Sequence, residues 1–422
     1  MKSNLLFISI AAAACLTLFA FSIRKNDTAG KTLNLVQAAS YRNAGASSLH
    51  HAIDQKSTSM FDDDSIPPDK SGMRDITAME LTKQMGFGWN LGNALDATGG
   101  DETAWGTPKA TQRLIDSVKA AGFNAVRIPV SWSKFTDSDK YTIDTNWMAR
   151  VETVVNYALK DNMYVVLNLH WDGGWIQPTY ADQRYVTRRM AYTWLQIAVR
   201  FRNYNDHLLF AGTNEVHVKD SYGPPTVENY TVQNSFNQVF VSIVRSTGGR
   251  NAYRDLVVQG YNTNIDHTVN FFKMPKDRIP DRLVVEVHYY DPYEFTLAND
   301  NKVTEWGKYS KDPSKKAKWG DEFAVDDHFE KMKENFIDKG VPVIIGEYAP
   351  GNRLNLGSDS ANAHYQFFKN YYLQYVTSSA TAHGLVPFYW DSGSLHNYGS
   401  ALFNRKTGAR AYPQSIKAIT GK

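Results

Sequence analysis

The sequence predicts an α/β protein, a (β/α)8 TIM barrel, because of a repeated pattern that begins near Met73. Short apolar runs rich in β-branched residues alternate with longer segments of helical period, which is typical of βα units around a parallel sheet. Eight such runs spread over roughly 350 residues favour a closed barrel with some long loops over an open doubly wound sheet. The runs are Gly86–Asn93, Ala125–Trp132, Tyr164–Trp171, His207–Val216, Asp255–Asn262, Leu283–Tyr290, Val341–Tyr348 and Leu385–Asp391.

The segments between these runs carry helix signals. Thr107 and Pro108 predict an N-cap and a first-turn proline, an apolar stripe follows, and Gly122 predicts the end of that helix. The stretch from Pro292 to Asp326 has no clear period. We therefore predict an elaborated loop there, lying over the functional site.

The N-terminal part has a different composition. Residues 1–23 contain a basic start and the apolar run Leu5–Ile23, which predict a secretory signal peptide and a secreted protein. The run is also long enough for an uncleaved membrane anchor, with the protein facing outside, as the alternative. Residues 24–72 are polar and irregular, which predicts a flexible linker. The barrel domain is then expected to occupy residues 73–422.

Charge and aromatic content restrict the kind of ligand. The chain has 46 Lys and Arg against 43 Asp and Glu, a balance that argues against a nucleic-acid or membrane-surface partner. Aromatic residues make up 13% of the chain, which is enough to line a binding cleft as well as a core. An uncharged ligand with flat apolar faces, such as a sugar, fits this composition.

Polar residues close several of the apolar runs. In a (β/α)8 barrel the active site lies at the C-terminal ends of the strands, so these residues are the candidates for chemistry. They come from six different runs and are Arg127, His170, Asn214, Glu215, His288, Tyr290, Glu347 and Trp390.

Glu215 and Glu347 are carboxylates from different strands, as hydrolysis of a glycosidic bond requires. In a retaining glycosidase the two carboxyl groups stand about 5 to 5.5 Å apart, which opposite strands of a small barrel can achieve. Burial and the like charge of its partner would raise the pKa of the acid, and a nearby arginine would keep the nucleophile ionised. Arg127 is the candidate for that arginine.

Each candidate also has a purely structural interpretation. A glutamate at a strand end can cap a helix or pair with a cation, an arginine can be an ordinary ion-pair residue, and the histidines and the tryptophan can belong to the core. Their shared placement at strand ends favours a common site.

The motifs resemble glycoside hydrolase family 5, and the resemblance covers nearly all of residues 73–422. It rests on Gly88-Trp89-Asn90-Leu91-Gly92-Asn93, Val126-Arg127-Ile128-Pro129, Asn168-Leu169-His170, Asn214-Glu215, His288-Tyr289-Tyr290, Ile345-Gly346-Glu347-Tyr348 and Trp390. The resemblance implies that Glu215 is the acid/base and Glu347 the nucleophile.

The same resemblance implies roles for the other candidates. Asn214 would bond the sugar 2-hydroxyl, and Arg127 and Tyr290 would hold the nucleophile. His170 and His288 would line the subsite where cleavage occurs, with Trp390 stacked under the sugar.

The mechanism implies no cofactor and no metal. Serine and metal hydrolases are disfavoured, since the sequence lacks Gly-x-Ser-x-Gly and His-Glu-x-x-His motifs.

The opening motif and the stretch His288–Tyr293 resemble the endo-β-1,4-glucanase branch of the family. The expected partner is a β-linked plant-type polysaccharide, a β-glucan backbone that can include xyloglucan or mixed-linkage glucan, and the enzyme is expected to be a monomer. The alternatives are an endo-β-mannanase and an inactive carbohydrate-binding barrel.

Val216 departs from the family, which has proline after the acid/base, so we expect altered loop geometry there, including at His217.

Several other aromatic residues lie near predicted strand ends or in loops. For each of them a further sugar subsite and core packing are both open interpretations. They are Trp105, Trp132, Trp175, Tyr261 and Trp306.

Overall fold

The computed structural model describes residues 65–422, and most of this part of the chain forms a closed barrel of parallel strands. Around the barrel the strands are hydrogen-bonded in chain order, and the last strand closes the barrel against the first. The barrel strands are β2 (Gly88–Leu91), β3 (Ala125–Ile128), β4 (Tyr164–Asn168), β5 (Leu208–Ala211), β7 (Leu256–Gln259), β8 (Leu283–His288), β9 (Val343–Tyr348) and β10 (Val386–Asp391). The predicted fold class and all eight predicted strands are confirmed, although most strands end before their apolar runs do.

Helices connect the strands on the outside of the barrel. They are α1 (Ala78–Met85), α2 (Gln112–Ala120), α3 (Thr145–Lys160), α4 (Tyr180–Arg200), α5 (Val227–Ser246), α6 (Ile265–Phe271), α7 (Tyr293–Thr296), α8 (Glu322–Asn335), α9 (Asp359–Ala382) and α10 (Pro413–Thr420). Short 3₁₀ turns occur at Ser133–Phe135, Arg250–Ala252, Tyr261–Thr263, Gly307–Tyr309 and Ile337–Lys339.

The predicted start of α2 at Thr107 and Pro108 is wrong. The helix begins at Gln112, where the side chain of the N-cap Thr111 accepts a hydrogen bond from the backbone N–H of Leu114. Thr107 instead donates its hydroxyl to the carbonyl oxygen of Asn93. A local N-cap signal could not distinguish these two threonines because a tertiary contact occupies the first.

Helix α1 closes the N-terminal end of the barrel. Thr77 and Glu80 form a reciprocal capping box that satisfies backbone donors at its start. The helix buries Leu81 and Met85 against inward-facing residues of the strands. This end of the barrel is therefore packed with side chains, which leaves the opposite end for ligands.

Residues 65–72, predicted to be part of the linker, belong to the folded domain. Ile66–Pro68 forms strand β1, which pairs in parallel with β6 (Gly248–Gly249). The domain therefore starts earlier than predicted. The predicted signal peptide or anchor and the rest of the linker lie outside the described residues. Within residues 65–422 no helix is long and apolar enough to span a bilayer.

The stretch between Pro292 and Asp326 contains the short helix α7, one 3₁₀ turn and the start of α8. Trp306 is buried in this stretch, with its ring against Tyr371 and Tyr372 of α9. The core interpretation of Trp306 is correct, and its ring is not available to a sugar.

Candidate active site

Arg127 lies at the centre of the predicted site and has no exposed surface. Its Nη1 donates to Glu347 Oε1 at 3.0 Å and to the amide oxygen of Asn90 at 3.0 Å. Its Nη2 donates to the amide oxygen of Asn214 at 2.6 Å, and its Nε is 2.8 Å from Glu286 Oε1. The planar guanidinium therefore links four strands of the barrel through one rigid group.

Glu347 is held from two sides at the end of β9. Besides the contact with Arg127, its Oε2 accepts a hydrogen bond of 2.9 Å from the hydroxyl of Tyr290. A register shift at the β8–β9 pairing places Glu347, rather than Gly346, opposite His288. These contacts orient a nearly buried carboxylate whose side chain is 7% exposed.

Glu215 follows β5 and is the more accessible carboxylate, with 37% of its side chain exposed. His288 Nδ1 lies 2.6 Å from Glu215 Oε1, and His288 Nε2 lies 3.2 Å from Glu286 Oε1. Both ring nitrogens therefore face carboxylates. One carboxylate oxygen each of Glu215 and Glu347 and one ring nitrogen of His288 all lie within 4.8 Å of one another.

The three groups shift one another's pKa. Burial alone would lower the pKa of His288, but the charges of Glu347, Glu215 and Glu286 outweigh burial and raise it to about 9. Burial works to raise the pKa of Glu215, yet the hydrogen bond and charge of His288 lower it below the ordinary value. Burial raises the pKa of Glu347, although the positive charges of His288 and Arg127 oppose this.

The expectation that the pKa of the acid is raised is therefore wrong. His288 contacts Glu215 at 2.6 Å but approaches Glu347 Oε2 only to 3.8 Å, so its charge acts more strongly on Glu215. That expectation rested on burial and the like charge of Glu347, and the cationic His288 outweighs both.

A chain of hydrogen bonds orients His170. The backbone N–H of Val130 donates to the amide oxygen of Asn168, and the amide nitrogen of Asn168 lies 3.1 Å from His170 Nδ1. Nδ1 is then an acceptor, which leaves the proton on Nε2. Burial and the positive charges of Arg127 and His288 lower the pKa of His170 well below its usual value. His170 is thus a neutral hydrogen-bond donor.

Trp390 lies beside His170 at the end of β10. Its ring is nearly parallel to the imidazole, with an interplanar angle of 10° and centroids 5.6 Å apart. A Cβ on Gly92 would lie 2.7 Å from the ring, so only glycine leaves room for it. The partly exposed ring is a flat apolar surface at the site.

The structure thus brings together every predicted site residue at the C-terminal ends of the strands. Val216, at the family's proline position, is buried, and its carbonyl oxygen accepts from the backbone N–H of Asn262. His217 Nδ1 lies 2.8 Å from the carbonyl oxygen of Glu215, and its ring packs near Tyr222. Valine therefore leaves the Glu215 side chain in contact with His288.

The remaining aromatic candidates divide between core and surface. Trp132 and Tyr261 are buried, with 1% and 2% exposure, so the core interpretation is correct for them. Trp105 is 45% exposed, and Trp175 is partly buried with the guanidinium of Arg189 over its ring. Of the five aromatic residues named in this group, Trp105 and Trp175 therefore remain candidates for contact with a ligand.

Comparison with known proteins identifies the family. The sequence matches the profile of the Cellulase family, glycosyl hydrolase family 5, over residues 90–394. This chain belongs to glycosyl hydrolase family 5. The matched region includes Arg127, Glu215, Glu347 and Trp390, so the family 5 match spans the whole cluster described above.

Relatives of this family 5 enzyme include proteins named as glucanases. It is 44% identical over 379 residues to the xyloglucan-specific endo-β-1,4-glucanase of Bacteroides ovatus, covering 85% of this chain and 72% of that protein. It is 38% identical to endoglucanase A of Paenibacillus barcinonensis, covering 82% of this chain and 90% of that protein. The Bacteroides ovatus family 5 xyloglucanase solved in complex with a XXXG heptasaccharide superimposes with a TM-score of 0.81 at 43% identity, covering 85% of this chain and 79% of that chain.

The site of this family 5 enzyme also contains residues that sequence reasoning did not select. Asn90 accepts from Arg127 and donates to the carbonyl oxygen of Gly346 at 2.8 Å. Glu286 contacts both Arg127 and His288. A charged residue inside the apolar run Leu283–His288 was the available signal for Glu286, because an unpaired buried carboxylate is costly.

Proposed function

We propose that this family 5 enzyme is a retaining endo-β-1,4-glucanase in which Glu215 is the acid/base and Glu347 the nucleophile. The observation that carries the proposal is the approach of their carboxylate oxygens to within 4.8 Å. Retaining glycosidases keep these groups about 5 to 5.5 Å apart, whereas inverting enzymes leave about 6.5 to 9.5 Å for a water molecule. The gap therefore favours double displacement.

In the first step, a Glu347 oxygen bonds to the anomeric carbon while Glu215 donates a proton to the departing glycosidic oxygen. Arg127 and Tyr290 aim the Glu347 carboxylate. Glu215 gains its proton across the 2.6 Å contact with His288 Nδ1, which leaves His288 neutral with its other proton directed at Glu286. The product is a glycosyl ester of Glu347.

In the second step, the Glu215 carboxylate removes a proton from a water molecule. The water oxygen bonds to the anomeric carbon while the bond to Glu347 breaks, which restores both glutamates. Asn214 can donate its amide N–H to a sugar hydroxyl because its oxygen already accepts from Arg127. Trp390 supplies the stacking surface for the apolar face of the same sugar.

The proposed substrates are β-1,4-linked glucans, including xyloglucan. The names of the relatives support this choice, and so does the character of the catalytic face. Exposed rings follow the ends of several strands, namely Trp171, Tyr222 and Tyr293, with exposures of 50%, 52% and 42%. Rings of this kind can bind successive sugars of an uncharged chain.

The catalytic roles are tested by Glu347→Gln and Glu215→Gln, with Glu152→Gln on the outer helix α3 as a matched control. We expect hydrolysis of a soluble β-glucan to fall by several orders of magnitude in the first two variants and to stay near wild type in the control. Azide should restore activity to Glu215→Ala and give a glycosyl azide. Near wild-type hydrolysis by either site variant contradicts the assignment.

The substrate class is tested by reducing-sugar release from cellulose derivatives, lichenan, xyloglucan, mannan and xylan. We expect activity on the glucans. Activity on mannan alone would replace the glucanase proposal with the mannanase alternative while preserving the two catalytic roles. No activity on any of them, with a retained affinity for glucan, would favour a binding protein.

We also propose that the enzyme is exported and acts as a monomer. The basic start and apolar run of residues 1–23 support export through a signal peptide or an outward-facing anchor. Fractionation of a bacterium expressing the full chain should find activity in the medium or on the outer surface. Sedimentation should give a mass near 47.6 kDa, or slightly less after cleavage.

A further inference from the structure

Glu286 is a carboxylate that has no exposed surface and lies beneath the proposed catalytic pair. Three side chains converge on it. Its Oε1 lies 2.8 Å from Arg127 Nε and 3.2 Å from His288 Nε2, and its Oε2 accepts 2.7 Å from the amide nitrogen of Gln259. It never reaches the cleft, so it cannot contact a substrate.

The backbone around Glu286 makes room for its charge. A Cβ on Gly346 would lie 2.0 Å from Glu286 Oε1, so the neighbouring strand β9 accommodates the carboxylate only with glycine at that position. The positive charge of Arg127 and the hydrogen bonds from His288 and Gln259 outweigh burial and lower the pKa of Glu286 to about 2. The group is therefore a permanent anion under ordinary conditions.

The anion acts on two residues of the site. Arg127 Nε lies 2.8 Å from Glu286 Oε1 as an ion pair, while Nη1 donates to Glu347 and Nη2 to Asn214. His288 has Glu215 at one nitrogen and Glu286 at the other. Ionised carboxylates only accept hydrogen bonds, so while Glu215 and Glu286 are both ionised each nitrogen of His288 carries a proton.

We propose that Glu286 is a positioning residue for the reaction: it aligns Arg127 against Glu347 and holds His288 as the cation that supplies Glu215 with its proton. The inference rests on the proposed function, because it needs Glu215 and Glu347 in their assigned roles.

Loss of the Glu286 charge should lower the pKa of His288. His288 faces Glu215 after β5, Glu286 on its own strand and Glu347 on β9, with the cation Arg127 from β3 and the neutral His170 after β4 nearby. Replacing Glu286 with a neutral residue removes one anion from this set. The pKa of His288 then falls, so the proton destined for Glu215 is lost at lower pH.

The experiment compares kcat/KM against pH for the wild type, Glu286→Gln and the control Asp277→Asn. Asp277 forms a buried ion pair with Arg245 at 2.7 Å in the loop that leads into β8, at the opposite end of the barrel. We expect Glu286→Gln to lower kcat about tenfold to hundredfold and to move the basic limb of the profile to lower pH. Asp277→Asn should leave the limb in place. An unmoved limb or unchanged kcat in Glu286→Gln overturns the proposal.

A second measurement does not depend on folding of Glu286→Gln. In wild-type enzyme with ¹³C-labelled histidine, NMR titration should show His288 protonated at pH 7, with its signal assigned from His288→Asn. A neutral His288 at pH 7 overturns the proposal. Wild-type enzyme with no β-glucan hydrolysis would instead refute the proposed function, so the two failures are distinguishable.

Discussion

At the scale of single residues, the geometry of the site depends on how Arg127 and Tyr290 share Glu347 between them. Arg127 donates to one carboxylate oxygen and Tyr290 to the other, so the plane of the nucleophile is set by two donors. A hydrogen bond to a charged group is worth about 1.5 to 3 kcal/mol. The orientation of Glu347 is consequently sensitive to loss of one hydroxyl.

Tyr290→Phe should therefore lower kcat/KM by roughly tenfold to hundredfold. The hydrogen bond from Tyr290 lowers the pKa of Glu347, so its removal raises that pKa and moves the acidic limb of the profile to higher pH. The measurement is kcat/KM on a soluble β-glucan across pH. Tyr375→Phe, which removes a hydroxyl bonded to Asp326 outside the barrel, serves as the control and should change neither value. An unmoved acidic limb in Tyr290→Phe would contradict the account.

At the scale of an element, strand β9 shows how backbone irregularity places a reactive group. Its register shifts against β8 between Val287 and His288, and its register also shifts against β10 between Pro387 and Tyr389. Gly346 lies in both irregular regions, with the Glu286 carboxylate in the space that a Cβ would fill. The irregularity turns Glu347 toward His288.

Gly346→Ala should destabilise the protein by about 1 to 3 kcal/mol, since the added methyl group has to displace a buried carboxylate. Displacement of Glu286 should also reduce kcat at temperatures where the variant is fully folded. Gly100→Ala is the matched control, because a Cβ there meets nothing within 4 Å. Thermal unfolding and kcat measure the two effects. Equal behaviour of both variants would show that Gly346 is not required for space.

At the scale of the whole molecule, the barrel separates an end that carries chemistry from an end that is packed. The packed end contains buried charge as well as apolar side chains. Asp255, just before β7, is 1% exposed, and Arg282 Nη1 approaches its Oδ1 only to 3.6 Å. Burial raises the pKa of Asp255 to about 7, although the charge of Arg282 opposes this.

Because of this raised pKa, the free energy of unfolding should decrease as the pH rises. The folded protein holds a proton on Asp255 that the unfolded chain releases near its ordinary pKa of 3.8, so the associated stability is lost as pH rises from about 4 to about 7. Asp255→Asn removes this titration. Its unfolding temperature relative to wild type should be higher at pH 8 than at pH 5. The exposed Asp75→Asn should show no such difference. A difference independent of pH would contradict the prediction.

The sequence by itself determined the barrel and the positions of the candidate site residues. Alternation of β-branched runs with helical segments is a local pattern, and it requires no knowledge of which strands are neighbours. Glu215, Glu347, Arg127 and Trp390 could be selected because the carboxyl ends of parallel strands meet at one end of a barrel. Their catalytic roles stay predictions.

Only the tertiary structure decided how these residues act on one another. In the sequence, Glu286 is part of an otherwise apolar strand. Only the structure shows that Arg127 from β3 and His288 from the same strand lie at its oxygens. The directions of the pKa shifts at Glu215 and Glu347 depended on which of them His288 touches. Burial and charge act through distances in space, and residues far apart in the chain set those distances.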